Sequence, residues 1–367
     1  MTPLAIRDLH QRHNAVFTEV NGAEVVDHCG EFRNEYAALT TSAGVIDLSF
    51  RSRLCLTGAD RQTFLNGQVT NNVKDLNVGE GCYAALVTAK GKVQSDLNIY
   101  ILENEILLDF EPGYSAAVAE RLEKYVIADD VQIVDVSAHF GLLSVQGPKS
   151  EEVLCRLNWQ FETPQDPMQI AMRHHPSFGE IYICRLHRTG TSGFDLYLPT
   201  TALEKAADEL ITAARGPGGL ACGWQALETA RIEAGIPRFG ADMDESNLAP
   251  ETGIEMRAIS YSKGCYIGQE VIARIRTYGQ VAKALRVLKP LDDSNAVPQR
   301  GDRLFAGDRE VGHITSAVLS PAANSPIALG YVRREHNAIG TDLVLRASNG
   351  DRPVRVLAEP FPSRNPK

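Results

Sequence analysis

Long apolar runs are missing from this chain: no stretch could span a bilayer, so no membrane role is expected. Paired cysteines are missing too. Cys29, Cys55, Cys82, Cys155, Cys184, Cys222 and Cys265 are odd in number, scattered and never spaced as Cys-x-x-Cys, which speaks against a disulfide framework or a metal site. Nor is there an excess of positive charge. The 37 Lys and Arg against 46 Asp and Glu leave a net charge of −9, so no nucleic acid partner is expected. The opening residues Met1-Thr2-Pro3-Leu4 lack a basic segment followed by an apolar run, so secretion is not expected and a reducing cytoplasm fits. His10, His13, His28 and the pair His174-His175 lack metal-ligand spacing and are read as surface or packing residues. Gly216-Pro217-Gly218-Gly219 lacks the Lys-Ser/Thr of a phosphate loop and is read as a turn.

What is present describes an ordinary folded chain. With 367 residues, 44% hydrophobic and 23% charged, two or three packed units are expected. An alternating apolar segment ends at Gly58 and another at Gly147, an offset of 147 − 58 = 89, and each is followed seven residues later by a leucine, Leu65 or Leu154. A second junction recurs at Pro112 and Pro199, an offset of 199 − 112 = 87. The near-equal offsets point to a duplicated α+β unit. Val118, Leu122, Tyr125 and Val126 make one amphipathic helix after the first proline; Leu203, Ala207, Leu210 and Ile211 make its counterpart. Thr201 and Glu204 have capping-box spacing, and a further helix from Trp224 to Ala234 stops at Gly235. Past Gln280 short β-type runs separated by Gly, Pro, Asn and Asp predict a small β domain. The expected division is 1–280, with repeats at about 36–135 and 136–280, followed by 281–367.

The octapeptide Lys263-Gly264-Cys265-Tyr266-Ile267-Gly268-Gln269-Glu270 carries the most chemistry. A helix beginning near Gly268 sets Cys265 before its N-terminus, where backbone N–H groups and Lys263 favour a thiolate. The residues alone leave two readings open: a reactive thiol, or a buried, inert cysteine in a glycine-rich turn.

Here the chain resembles a known family. Lys-Gly-Cys-Tyr-x-Gly-Gln-Glu is similar to the signature of the YgfZ family, a branch of the glycine-cleavage T-protein superfamily that includes mitochondrial iron-sulfur assembly factors. Ala43–Ser49, Ala226–Gly235, Gly312–Ser316, Ala328–Val332 and Pro360-Phe361 resemble the broader superfamily, so the likeness covers almost the whole chain.

The resemblance implies a T-protein-like cloverleaf of duplicated α+β folate-binding units and a C-terminal β-barrel, holding tetrahydrofolate or a one-carbon derivative. It implies that Asp96 stands where T-proteins keep the second member of an Asp-Asp pair beside the folate nitrogens, that Tyr83 walls the ring site and that Arg231 contacts folate. Taken alone, Asp96 also reads as a surface residue of a half-buried strand, Tyr83 as a packed aromatic, and Arg231 as a solvated charge paired with Glu228. Cys265, Asp96 and Lys263 are the candidate catalytic residues; Tyr83, Asp96 and Arg231 are the candidate folate contacts. Three departures from the T-proteins favour the YgfZ branch: Thr191 stands where a pterin-holding glutamate is expected, Gln94 and Ser95 leave Asp96 as a single acid, and Cys265 is added. The function expected first is therefore a tetrahydrofolate-binding factor that assembles or repairs iron-sulfur proteins, with those client proteins as partners. A folate-dependent aminomethyltransferase or other one-carbon transferase, and a non-catalytic module with a vestigial folate pocket, are the alternatives.

Overall fold

The computed structural model of the protein describes residues 2–159, 162–348 and 350–358; Pro360-Phe361 lies outside them. Two compact units emerge: Met1–Leu86 with Ser95–Leu227 and Ser262–Tyr266, and Val87–Gln94 with Glu228–Tyr261 and Ile267–Lys367.

The strands in chain order begin with a hairpin, β1 (Val16–Val20) and β2 (Ala23–His28). Then come β3 (Gly44–Asp47), β4 (Ser52–Thr57), β5 (Gly81–Val87), β6 (Val93–Ile101), β7 (Ile106–Phe110), β8 (Gln132–Asp135) and β9 (Phe140–Gln146). The first unit is completed by β10 (Ile170–His175), β11 (Gly179–Arg185), β12 (Gly193–Pro199) and β13 (Leu220–Ala221). They build two sheets, ordered β5-β6-β7-β4-β8 and β10-β11-β12-β9-β3-β13.

One plan underlies both sheets. In each, a central strand runs into a glycine of positive φ, Gly58 at +101° or Gly147 at +128°, and then into a short helix, Arg61–Gln68 or Ser150–Arg156. A side chain is excluded at both turns, since an added Cβ would stand 2.0 Å from Asp130 O or 2.5 Å from Ser42 O. The expected leucines, Leu65 and Leu154, are buried beneath these helices. Helix Ser115–Glu123 covers the first sheet with Val118 and Leu122, and Tyr125 and Val126 pack on the same core just past its end. Helix Leu203–Arg215 covers the second, burying Leu203, Ala206, Ala207, Leu210, Ile211 and Ala214. Each of those long aliphatic side chains contributes about 1.5–3 kcal/mol by leaving water.

Two details differ from expectation. The Thr201–Glu204 capping box does not form: Thr200–Ala202 is a 3-10 turn, no side chain caps the helix, and Glu204 pairs with Arg12 instead. The other concerns connectivity. β3 precedes β4 in the chain yet pairs with β9, while β8 precedes β9 yet pairs with β4. Their starts are separated by 132 − 44 = 88, the same offset as the rest of the repeat. Each repeat thus lends its leading strand to the other's sheet.

The second unit contains β14 (Lys283–Pro290), β15 (Arg303–Ala306), β16 (Arg309–Ser320), β17 (Ser325–Arg333), β18 (Asp342–Ala347) and β19 (Gly350–Leu357), closed into a barrel in the order β14-β17-β16-β15-β18-β19. Alternation points Leu288, Leu304, Val311, Ile314, Val332, Leu343, Leu345, Val354 and Val356 into one core. On another face, Ile232 packs with Leu285, Val287, Leu329 and Tyr331. No described helix is long and apolar enough to cross a membrane.

Candidate functional site

In the first unit the sheets carry charge on the face their helices leave open. On β6, Leu97, Ile99 and Ile101 point into the helix-covered core, so the opposite face takes Asp96, Asn98 and Tyr100. That second face is also closed: Asn98 and Tyr100 are buried and Asp96 is half-buried. A strand buried on both sides brings polar groups into the interior, where each needs a partner.

At its centre lie two carboxylates and two guanidiniums. Asp109 is opposite Arg53 and Asn98 in the first sheet, and Asp195 is opposite Ser144 and Cys184 in the second. Arg188 donates to both, from Nη2 to Asp109 at 3.0 Å and from Nε to Asp195 at 2.9 Å. Arg51 donates to Asp109 at 2.9 Å and to Glu111 at 2.7 Å, while Asn98 adds a 2.9 Å bond to Asp109 and Ser144 a 2.7 Å bond to Asp195. Burial opposes charge on Asp109, but Arg51 and Arg188 outweigh it and hold its carboxyl down at about 2.

Beside this network the Tyr83 hydroxyl, on β5, donates to Asp96 Oδ2 at 2.8 Å. The other oxygen, Oδ1, is buried and has no hydrogen-bond partner among the described residues. Burial first, then the charge of Glu111, push Asp96 up to about 6, against the Tyr83 hydrogen bond and Arg51. A carboxyl raised this far is suited to taking and releasing a proton near neutrality. Of the candidate residues, Tyr83 and Asp96 are brought together. Asp96 is not the surface residue that alternation alone describes.

Lys263 is placed differently from its expected partnership with Cys265. Its buried ammonium donates to three carbonyls, Asn66 O at 2.6 Å, Val69 O at 2.8 Å and Asn71 O at 2.6 Å, so no proton is left to stabilise a thiolate. Asn71 in turn donates to Tyr83 O at 2.9 Å, which makes Lys263 a brace for the strand that carries Tyr83. Burial lowers Lys263 to about 8, opposed by Cys82. Cys265 itself is exposed, not buried in its turn. Gly268 has a φ of +86° and caps helix Gln269–Tyr278, one residue later than expected.

Arg231, in the second unit, is buried and turned inward. It pairs with Glu228, at 2.8 Å through Nη2, as the spacing predicts; it also bonds Asp242, Ser316 Oγ at 3.1 Å and Ile236 O at 3.1 Å. All five of its N–H donors are engaged within the protein, so it is neither solvated nor open to fork onto a ligand carboxylate in this conformation. Thr191 bonds Thr189 Oγ1 at 2.9 Å. Among the histidines, His10 is buried against Asp47 at 2.8 Å, and His175 stacks on Phe178 at 4.3 Å.

Sequence reasoning missed Arg51, Asp109, Glu111, Arg188 and Asp195. A signal existed: Asp109 and Asp195 are lone acids inside apolar strands, separated by 195 − 109 = 86, close to the repeat offset.

Comparison with known proteins agrees with this architecture. Residues 6–263 match the family described as "GCVT N-terminal domain", and residues 283–362 match "Glycine cleavage T-protein C-terminal barrel domain". The chain is 29% identical over 371 residues to the aminomethyltransferase of Saccharopolyspora erythraea, covering 99% of this chain and 98% of that one. It is 27% identical over 364 residues to the aminomethyltransferase of Streptomyces avermitilis, covering 97% and 96%. The crystal structure of the glycine cleavage system aminomethyltransferase T from Bartonella henselae superposes with a TM-score of 0.88 at 22% identity over 98% of both chains, a likeness of fold.

Proposed function

The chain belongs to the glycine-cleavage T-protein family, and from that premise we propose that it binds a reduced folate at Tyr83 and Asp96 and transfers a one-carbon unit, as an aminomethyltransferase does. The observation that carries this is the buried Oδ1 of Asp96, an acceptor with no partner among the described residues, beside a tyrosine that fixes the same carboxyl. A pterin edge rich in N–H groups fits such an acceptor. Tetrahydrofolate, when bound, supplies the amine nitrogens to which the one-carbon unit attaches. Tyr83 orients the Asp96 carboxyl through Oδ2, leaving Oδ1 to orient a nitrogen and to exchange a proton with it. Lys263, through Asn71, holds the strand that presents Tyr83. Calorimetric titration with tetrahydrofolate tests the site: micromolar binding weakened at least tenfold in Asp96→Ala is expected, and equal binding by both proteins rejects it. Turnover is tested with an aminomethyl-loaded lipoyl carrier protein, where ammonia and methylene-tetrahydrofolate should form.

A second reading is favoured by the exposed thiol of Cys265 within the YgfZ-like octapeptide. In it, bound folate serves iron-sulfur enzyme upkeep and Cys265 acts on client or assembly proteins. This version expects no turnover with the lipoyl carrier, and it fails if Cys265→Ser restores cluster-enzyme activity in a deletion strain as fully as the wild type.

A further inference from the structure

The interior charges of the first unit leave one carboxyl unmatched. Two guanidiniums, Arg51 and Arg188, pair with the three carboxylates Asp109, Glu111 and Asp195. Arg53 itself is fully buried and donates to Ser49 O at 2.8 Å and Ser137 O at 3.0 Å; burial lowers its proton affinity, and the charges of Asp109 and Asp47 oppose that. Asp47 is held by His10. Asp96 is the fourth carboxyl of the group, and the side chain that bonds it is a phenol.

The strand register explains why Asp96 feels Glu111. β6 and β7 pair antiparallel with Asn98 opposite Asp109, the last pair of their ladder; Asp96 and Glu111 each lie two residues beyond that pair, and the charge of Glu111 acts on the Asp96 carboxyl. Like charges brought together across neighbouring strands repel. Glu111 cannot easily relieve the repulsion by taking the proton, because Arg51 donates to its Oε1 at 2.7 Å. The proton therefore goes to Asp96. The side chains that act on Asp96 are Tyr83 from β5, Glu111 just past the end of β7 and Arg51 from the segment before β4. Of these three, Glu111 alone strengthens its hold on a proton.

We propose that Glu111, anchored by Arg51, is a positioning residue that sets how tightly Asp96 holds its proton, so that this carboxyl exchanges a proton with a bound amine near neutral pH. The inference rests on the folate reading for the identity of the amine, and not for the carboxyl pair.

The pair is tested on the full chain without ligand, by following the carboxyl resonance of Asp96 in carbon-13-labelled protein as pH is raised, with Asp96→Asn assigning the signal. Glu111→Gln keeps an acceptor for Arg51 and removes the charge; its Asp96 midpoint should fall by about one pH unit or more. Tyr83→Phe removes the bond that steadies the charged form, and its midpoint should rise. Glu111→Asp restores the charge and should bring the midpoint back toward wild type. A Glu111→Gln titration that overlays the wild type overturns the proposal, as does an Asp96 midpoint in the usual carboxylate range in the wild type. Tetrahydrofolate affinity measured from pH 5.5 to 8 on the same proteins should track the shifted midpoints. If the resonances move as stated while affinity stays flat, the carboxyl pair stands and the folate reading falls.

Discussion

Where the first half of the duplicated unit carries Asp96 and Glu111, each two residues beyond Asn98 and Asp109, the second sets Tyr182 against Tyr197. The two places correspond because each lies two residues from the pair that holds the central acid, Asn98 with Asp109 and Cys184 with Asp195. Shared positions are the ones that both halves need in order to fold: the turn glycines, the leucines under the short helices and the central acids clamped by Arg188. The divergent position is the one that offers chemistry. In the second sheet Tyr182 bonds Glu180 at 3.1 Å and Tyr197 lies edge-on to Tyr100 at 6.0 Å, a packing solution with no carboxyl at either of the two opposed positions. Duplication thus supplies two copies of a frame, and a site needs only one of them to change.

The comparison breaks most severely at Arg188, the side chain both halves share. Arg188→Ala leaves Asp109 and Asp195 without their common cation, and a loss of about 3–5 kcal/mol in urea unfolding is expected; a loss under about 1 kcal/mol shows that the halves do not depend on this link. Next come the equivalent glycines. Gly58→Ala and Gly147→Ala each force a Cβ onto a backbone carbonyl at positive φ, and each should cost about 2–4 kcal/mol, Gly58 the more because its clash at 2.0 Å is closer than 2.5 Å. Small losses at both would mean that neither turn excludes a side chain.

The smallest effect is also the one specific to the first half. Asp96 holds its proton more tightly in the folded chain, at about 6, than the ordinary value of 3.8. The folded state therefore binds more protons between those two values, and stability falls as pH rises from about 4 to about 6. Asp96→Asn removes that penalty: above pH 6 it should be more stable than wild type by about 1–3 kcal/mol, and below pH 4 the two should coincide. Denaturant unfolding across pH checks the sign, and a stability gain that persists at pH 4 rules out this origin. Tyr182→Phe in the other half should show no such pH dependence.

Much of the frame was legible because it obeys local periodicity. The glycines at 58 and 147, the buried Leu65 and Leu154, the helix stripe through Leu203, Ala207, Leu210 and Ile211, and the β texture after Gln280 all follow from spacing along one element. The Thr201–Glu204 cap does not form because Thr201 lies inside a 3-10 turn that makes Ala202 the N-cap, and Glu204 reaches a distant arginine, Arg12. Lys263 was misplaced for a similar reason, since three carbonyls far away in sequence take its protons.

By itself, then, the sequence determined the repeat, the elements, the barrel and the T-protein superfamily, though not the branch within it, together with Tyr83 and Asp96 as candidate residues. Only the tertiary structure decided that β3 and β8 change places, that Arg188 clamps one acid from each half, and that Asp96 is held by Tyr83 within reach of the Glu111 charge. The physical reason is range: hydrophobic periodicity is set within a few residues of one strand or helix, whereas the proton affinity of a buried carboxyl is set by every charge that the fold brings beside it.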